Sequence, residues 1–197
     1  MSIFRTRLSP WLASAVVASL LLALAPTSAE GQVETEFPVM LNRYELIPDS
    51  GGPGKFRGGL GVRREWQFMA DNLIFNLRSE RFKHSSPGIF GAKKARPARA
   101  FFNPGTPGEA PLPSKVTARE PKRGDVFRWE LGGGGGRGNP LDRDTRLVLQ
   151  DVINGYVSLE GAKEDYGVVF DPGNNMAVDD RKTEELRARR RGKESPG

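Results

Sequence analysis

The stretch RYELIPDSGGPGKFRGGLGVRREWQF, residues 43–68, reads as strand, glycine-rich loop, strand. Tyr44, Leu46, Trp66 and Phe68 alternate with polar neighbours. Period two puts those apolar side chains on one face of a sheet. Between the strands lie Asp49, Ser50 and a run of glycines from Gly51 to Gly61. Glycine tolerates positive φ and lets another surface approach its backbone. Two readings follow: a structural turn, which is the commoner use of such a run, or a loop shaped against a partner or ligand.

Outward from this hairpin the chain continues as short strands and turns. Val39–Ile47 and Gly61–Phe68 are predicted as the first two strands, and Leu73, Phe75 and Leu77 mark a third. Together they suggest an antiparallel meander. Prolines interrupt residues 83–113, with Ala100–Phe102 as a short buried segment. Ser114–Arg119 and Val126–Leu131 read as further strands, the latter with Phe127, Trp129 and Leu131 alternating. Asp144 caps a predicted helix to about Asn154 with Leu149, Val152 and Ile153 on one face, and Ser158 caps another to Tyr166, closed by Gly167. The fold class is therefore mainly β, an antiparallel meander of sandwich- or barrel-like form with a small helical C-terminal piece, with α+β as the second choice.

Three regions follow from composition. Residues 1–29 carry Arg5 and Arg7, an uncharged apolar run from Trp11 to Ala25, and small residues to Ala29. That is the pattern of a signal peptide, and it predicts an exported or periplasmic protein. The run is short for a stable transmembrane span. A truncated or shifted reading frame of a longer cytoplasmic protein is the alternative. Glu30–Glu36 reads as a polar linker, and residues 30–170 form the domain. Residues 171–197 are polar and highly charged, which predicts a disordered tail with a frayed helix over Arg181–Arg191.

Composition also narrows the chemistry. The 197 residues include 24 Gly, 15 Pro, no Cys and one His, with a net charge of +6. Thiolate sites and disulfides are excluded, and a lone histidine cannot build a typical zinc or non-haem iron site. His84 sits in a KHSSPG loop, the usual place of a surface histidine. Asp49, Glu65, Glu80 and Asp125 lie near strand ends, but no two are paired by sequence. Gly133, Gly135 and Gly138 match GxGxxG spacing, yet a polar turn and Pro140 follow where a dinucleotide fold starts its helix. Many cations sit at the chain ends, and the second helix carries Glu160, Glu164 and Asp165, so nucleic acid is not the expected partner.

The hairpin motif resembles the C-terminal part of the hydantoinase B / 5-oxoprolinase family, which includes an acetone carboxylase-type subunit. The strings PGIFGAKKARPA, FNPGT, LPSKVT, GDVFRWELGGGGG and VLQDVINGYVSLEGAKEDYGVV follow in the same order. The resemblance runs from about Glu34 to Val169. It implies ATP-dependent hydrolysis of a cyclic amide, 5-oxoproline or a hydantoin, or carboxylation of a ketone. It further implies that an actin-like ATPase-type (hydantoinase A-like) subunit uses ATP, and that a divalent metal is held in an N-terminal portion of the subunit missing from this chain. Cofactors within the chain itself are expected to be none. The implied role is a partial subunit, inactive alone, whose partners are the missing N-terminal part and the ATPase-type subunit. A non-catalytic binding or assembly module, possibly exported, is the alternative. Within the matched region Arg137 replaces a usual aromatic and Asn139 a common acid.

No catalytic residue is legible. The candidate binding loops are Asp49, Ser50, Gly51, Gly52, Arg57, Gly58 and Gly59 on one side, and Gly133, Gly134, Gly135 and Arg137 on the other. Both loops are expected at strand ends.

Overall fold

A computed structural model describes residues 29–171 and 176–194. The signal-peptide-like segment, save its last residue Ala29, falls outside them. The chain divides into a short unit ending at Phe37 and a main unit from Pro38 onward. In the first, Ala29–Glu36 forms a helix (α1) rather than a linker. No described helix is long and apolar enough to cross a membrane.

The main unit is mostly antiparallel sheet. Strands β1 (Val39–Leu46), β2 (Val62–Phe68), β4 (Arg99–Phe102), β5 (Ala110–Pro111) and β7 (Val126–Glu130) form one sheet in the order β1-β2-β7-β4-β5. Strands β3 (Phe75–Arg78) and β6 (Lys115–Arg119) pair only with each other. The expected three-strand meander is thus corrected. The chain leaves the sheet after β2, and β7 takes the place beside β2, with Trp66 opposite Phe127. The β3–β6 ribbon instead lies on one face of the sheet. Its Leu77 is buried with Phe68, Ala100, Phe102 and Phe127. Phe75 rings meet those of Phe127 at 4.6 Å and Phe68 at 5.7 Å between centroids. A ribbon this short cannot stand alone, so it is stabilised by delivering Phe75, Leu77 and Val116 to the core on the larger sheet.

Strand β1 is an edge. Its inward residue Val39 packs on the core, but Tyr44 and Leu46 remain about half exposed, contrary to the apolar face read from alternation. The core is centred on the other end of the strand. The Arg64 guanidinium covers the Tyr44 ring at 4.7 Å instead.

The opposite sheet face is ionic. Cross-strand partners Arg63↔Glu130 and Glu65↔Arg128 place charges side by side. Contacts run continuously from Arg128 to Glu65, Arg43, Glu45, Arg63, Glu130 and Arg96, alternating in sign throughout. Glu65 and Glu130 are buried beneath the arginine stems. The carboxylates of Glu45 and Glu130 hold the Arg63 pKa above its ordinary value despite the opposing effect of desolvation, the largest single influence.

A helical layer follows. A 3-10 turn, Pro140–Asp142, leads to α2 (Thr145–Ile153) and α3 (Leu159–Tyr166). The Asp144 carboxylate accepts from the Arg146 N–H, and the Ser158 hydroxyl from the Gly161 N–H. Gly167, at φ 63°, closes α3 in the left-handed conformation that favours glycine. Val148, Val157, Ala162, Tyr166 and Val168 form a second core. On α2 the inward positions are Val148 and Asp151, whereas Ile153 is 73% exposed. The expected apolar face is rotated because the helix turns a carboxylate inward, toward arginines. Burial pushes the Tyr166 phenol well above its ordinary pKa.

The charged tail is ordered where described. Phe170–Asp171 (β8) pairs with Ala177–Val178 (β9), and Asp180–Glu194 (α4) follows as a helix. The helix expected over Arg181–Arg191 is present, but composition gave no sign that it docks, because it does so through polar groups. Buried Thr183 accepts from the Val169 N–H at 3.0 Å. Arg187 donates to the Tyr166 and Arg143 carbonyls, and Arg191 to the Leu141 carbonyl and Asp142 carboxylate. Cations suit the carbonyl end of α3, and long arginine stems cover apolar surface.

The ladder yields a graded expectation. Glu130→Gln leaves Arg96 without its counter-charge and Arg63 with Glu45 alone, and lowers unfolding free energy by about 2 kcal/mol, between the scales for exposed and for buried pairs. Glu45→Gln, at the exposed end, costs under about 0.5 kcal/mol. Urea denaturation of the two variants reads both values, and equal losses would refute the gradient.

Candidate functional site

The two glycine loops, far apart in sequence, meet backbone to backbone. The Gly52 N–H donates to the Gly134 carbonyl at 2.8 Å, and the Gly134 N–H to the Gly59 carbonyl at 2.9 Å. A Cβ at Gly58 would collide with the Gly134 carbonyl oxygen, and one at Gly133 with the Ser50 carbonyl oxygen. Glycine is therefore required by proximity at these positions. A third loop joins them: a Cβ at Gly135 would collide with the Pro87 carbonyl, and Lys93 donates its N–H to the Pro53 carbonyl.

Polar side chains fasten this junction. Fully buried Ser50 donates its hydroxyl to the Ile47 carbonyl and accepts from the Gly61 N–H. Asp49, at φ 56°, accepts from the Ser158 N–H, and its own N–H donates to the Tyr156 carbonyl. Asp49 and Ser158 thereby tie the first loop to the start of α3.

Asp151 is the ionic centre. Arg57 donates to both of its carboxylate oxygens at 3.2 Å, and Arg143 donates to Oδ2 at 2.8 Å. Arg57 also donates to the Gly58 carbonyl and lies over the Tyr156 ring at 5.4 Å. Arg143 reaches the Lys55 carbonyl, while its buried Nε lacks a hydrogen-bond partner. Two cations around one buried carboxylate leave a net positive knot beneath the loops. Such a bidentate arrangement is strong, and strongly directional.

The candidate residues from the sequence are thus brought together. Asp49, Ser50, Gly51, Gly52, Arg57 and Gly58 sit in the first wall, Gly133, Gly134 and Gly135 in the second. Gly59 and Arg137 are exposed. Sequence reasoning missed Asp151, Arg143 and Tyr156, whose partnership with Arg57 is 94 residues distant for Asp151. It also passed over Phe56, Ile89 and Phe90, although the last two lie in the PGIFGAKKARPA string. Among the other carboxylates, Glu65 belongs to the ionic ladder, and Asp125 accepts from Asn103 and Lys122. His84 is exposed. No group of three or more His, Cys, Asp or Glu that could hold a metal ion occurs among the described residues.

At the outer edge Arg137 is the middle of three short extended segments. It bridges Phe56 on one side, antiparallel, and Ile89 on the other, parallel. Its guanidinium lies over the Phe90 ring at 5.6 Å.

The chain has known relatives. Residues 14–140 match the Hydantoinase B/oxoprolinase family. The chain belongs to that family. The caprolactamase subunit beta of Pseudomonas jessenii is 35% identical over 157 residues, covering 79% of this chain and 27% of its own length. A crystal structure of the ATP-dependent caprolactamase from that organism is similar, at TM-score 0.63 and 31% identity, over 81% of this chain and 28% of that one. A nucleotide-free acetone carboxylase structure shares the fold, at TM-score 0.74 and 23% identity, over 85% of this chain and 27% of that one. The chain spans about a quarter of the length of the curated relatives it matches. Several family relatives are subunits of multi-subunit enzymes.

The interlock separates two glycines of one loop. Gly58→Ala forces the backbones apart and costs about 3 kcal/mol or more, the scale of severe overpacking. A Cβ at Gly59 meets nothing within 4 Å, so Gly59→Ala stays within about 0.5 kcal/mol of the parent. Thermal and urea melts compare them, and equal stability of the two variants would contradict the interlock.

Proposed function

We propose that this chain supplies the non-catalytic, C-terminal-type portion of a hydantoinase B-type subunit. The reaction it serves is ATP-dependent opening of a cyclic amide such as 5-oxoproline or a hydantoin. A larger portion of the subunit provides the reacting groups, and an actin-like ATPase-type subunit provides the ATP chemistry. The glycine-loop junction is the face turned toward that larger portion.

One observation carries this reading: the loop backbones bond to their own chain. Gly52, Gly58, Gly134, Gly136, Arg137 and Gly138 donate their N–H groups to backbone carbonyls, and Gly61 donates to Ser50 Oγ. A phosphate cradle needs such N–H groups pointed outward and free. The junction instead makes a stiff surface, suited to packing against another polypeptide. Asp151, saturated by two arginines, holds that surface in place rather than moving a proton. Membership of the family supports the reaction class, and the subunit names of relatives support a multi-chain assembly.

The test is an activity assay on the purified 197-residue chain with 5-oxoproline, hydantoin and caprolactam, with ATP and magnesium. No ring opening is expected from the chain alone. ATP-dependent ring opening by the chain alone would overturn the proposal.

A further inference from the structure

The Ile89–Phe90–Gly91–Ala92 turn combines features with no use inside the described domain. Phe90 and Gly91 both have positive φ, 53° and 84°, and the Ala92 N–H donates to the Ile89 carbonyl. Two successive left-handed residues make a tight turn that glycine, asparagine and aspartate favour. An aromatic residue at the first position is strained. Yet its ring gains little cover in return, remaining 76% exposed. Beside it Phe56 is 60% and Ile89 52% exposed. Because Phe56, Arg137 and Ile89 are bridged neighbours across three extended segments, their side chains form one row.

The row itself carries one cation, Arg137, which lies over the Phe90 ring. Among the described residues, Lys55, Lys94 and Arg137 are exposed and in no salt bridge, whereas Lys93 is neutralised by Asp165 at 2.8 Å. A second copy of this chain placed on the patch would oppose cations to cations. The chemistry that fits is an apolar pocket rimmed by carboxylates.

We infer that Phe90, with Phe56 and Ile89, anchors this chain in an acid-rimmed apolar pocket on the larger portion of a hydantoinase B-type subunit. The inference rests on the proposed role of the glycine-loop face and names its anchor. Strain at Phe90 is retained because the ring is needed by the partner. Arg137 sets the row and supplies the cation facing the pocket rim. Interface anchors of this kind are aromatic residues with arginine beside them.

The experiment co-expresses the full chain with the Pseudomonas jessenii caprolactamase subunit beta shortened by the quarter that matches this chain. Co-purification and dissociation constants are read by affinity capture and calorimetry. The parent chain and Ile74→Ala, which trims an equally exposed apolar residue elsewhere, are expected to bind alike. Phe56→Ala/Phe90→Ala and Arg137→Glu are expected to weaken binding at least tenfold. Phe90→Gly relieves the positive φ, so it is expected to raise Tm while weakening binding, a combination that a merely structural Phe90 would not produce. If the parent binds and the patch variants bind equally well, the anchor is refuted while the proposed role stands. If the parent does not bind, the proposed role itself falls and the anchor with it. Loss of binding by Ile74→Ala to the same extent, or a homodimer of this chain that Phe90→Gly dissolves, would also overturn the assignment.

Discussion

The approach of two glycine loops to within main-chain contact is the constraint on which the other features depend. The first loop closes the β1–β2 hairpin and the second follows β7. Their hydrogen bonds go to each other, Gly52 to Gly134 and Gly134 to Gly59. Backbone polar groups cannot be left unpaired in a buried place, so the loops order together or not at all. The sheet contributes the aromatic core, but the junction decides where the helical layer sits relative to it.

Electrostatics complete that connection. Asp151 belongs to the helical layer, Arg57 to the first loop, and Arg143 lies between the 3-10 turn and α2. Bringing one carboxylate between two guanidiniums offsets its burial and makes loop and helix interdependent. The same device recurs on the sheet face, where Glu65 and Glu130 each lie between two arginines. It recurs again in the tail, where Arg187 and Arg191 satisfy carbonyl groups at the end of α3 and around the 3-10 turn. A protein rich in arginine and poor in large aliphatics thus spends its cations on internal contacts. Arg137 stands apart because it is exposed and lies over the exposed Phe90 ring.

Local signals were legible in the sequence, and non-local ones were not. Helix α3 could be read to the residue, since Ser158 and Gly167 are cap residues whose effect is confined to one turn. Strands β2 and β7 showed in the alternation of Trp66, Phe68, Phe127 and Trp129. Which strands pair was hidden: β3 follows β2 in the chain but pairs with β6, because its Phe75 and Leu77 are worth more on top of the sheet than at its edge. The inward turn of Asp151 was hidden for a similar reason. A carboxylate on an amphipathic helix reads as a solvent-facing residue until Arg57 and Arg143 are seen around it. A helix over Arg181–Arg191 was legible, but its docking through Thr183, Arg187 and Arg191 escaped a reading that counted only apolar burial. The glycine loops themselves were recognisable as special, and the family strings pointed to them. That each glycine answers to a particular carbonyl of the other loop is a fact of three-dimensional contact.

Amide hydrogen exchange of the Gly52 and Gly134 N–H groups tests the interlock most directly. If the junction orders with the fold as one unit, both amides exchange only through global unfolding. Their protection then equals that of Phe127 in the central strand β7. Exchange at the rate of open, solvated loop amides, with β7 still protected, would show that the two loops merely lie near each other and that the account is wrong.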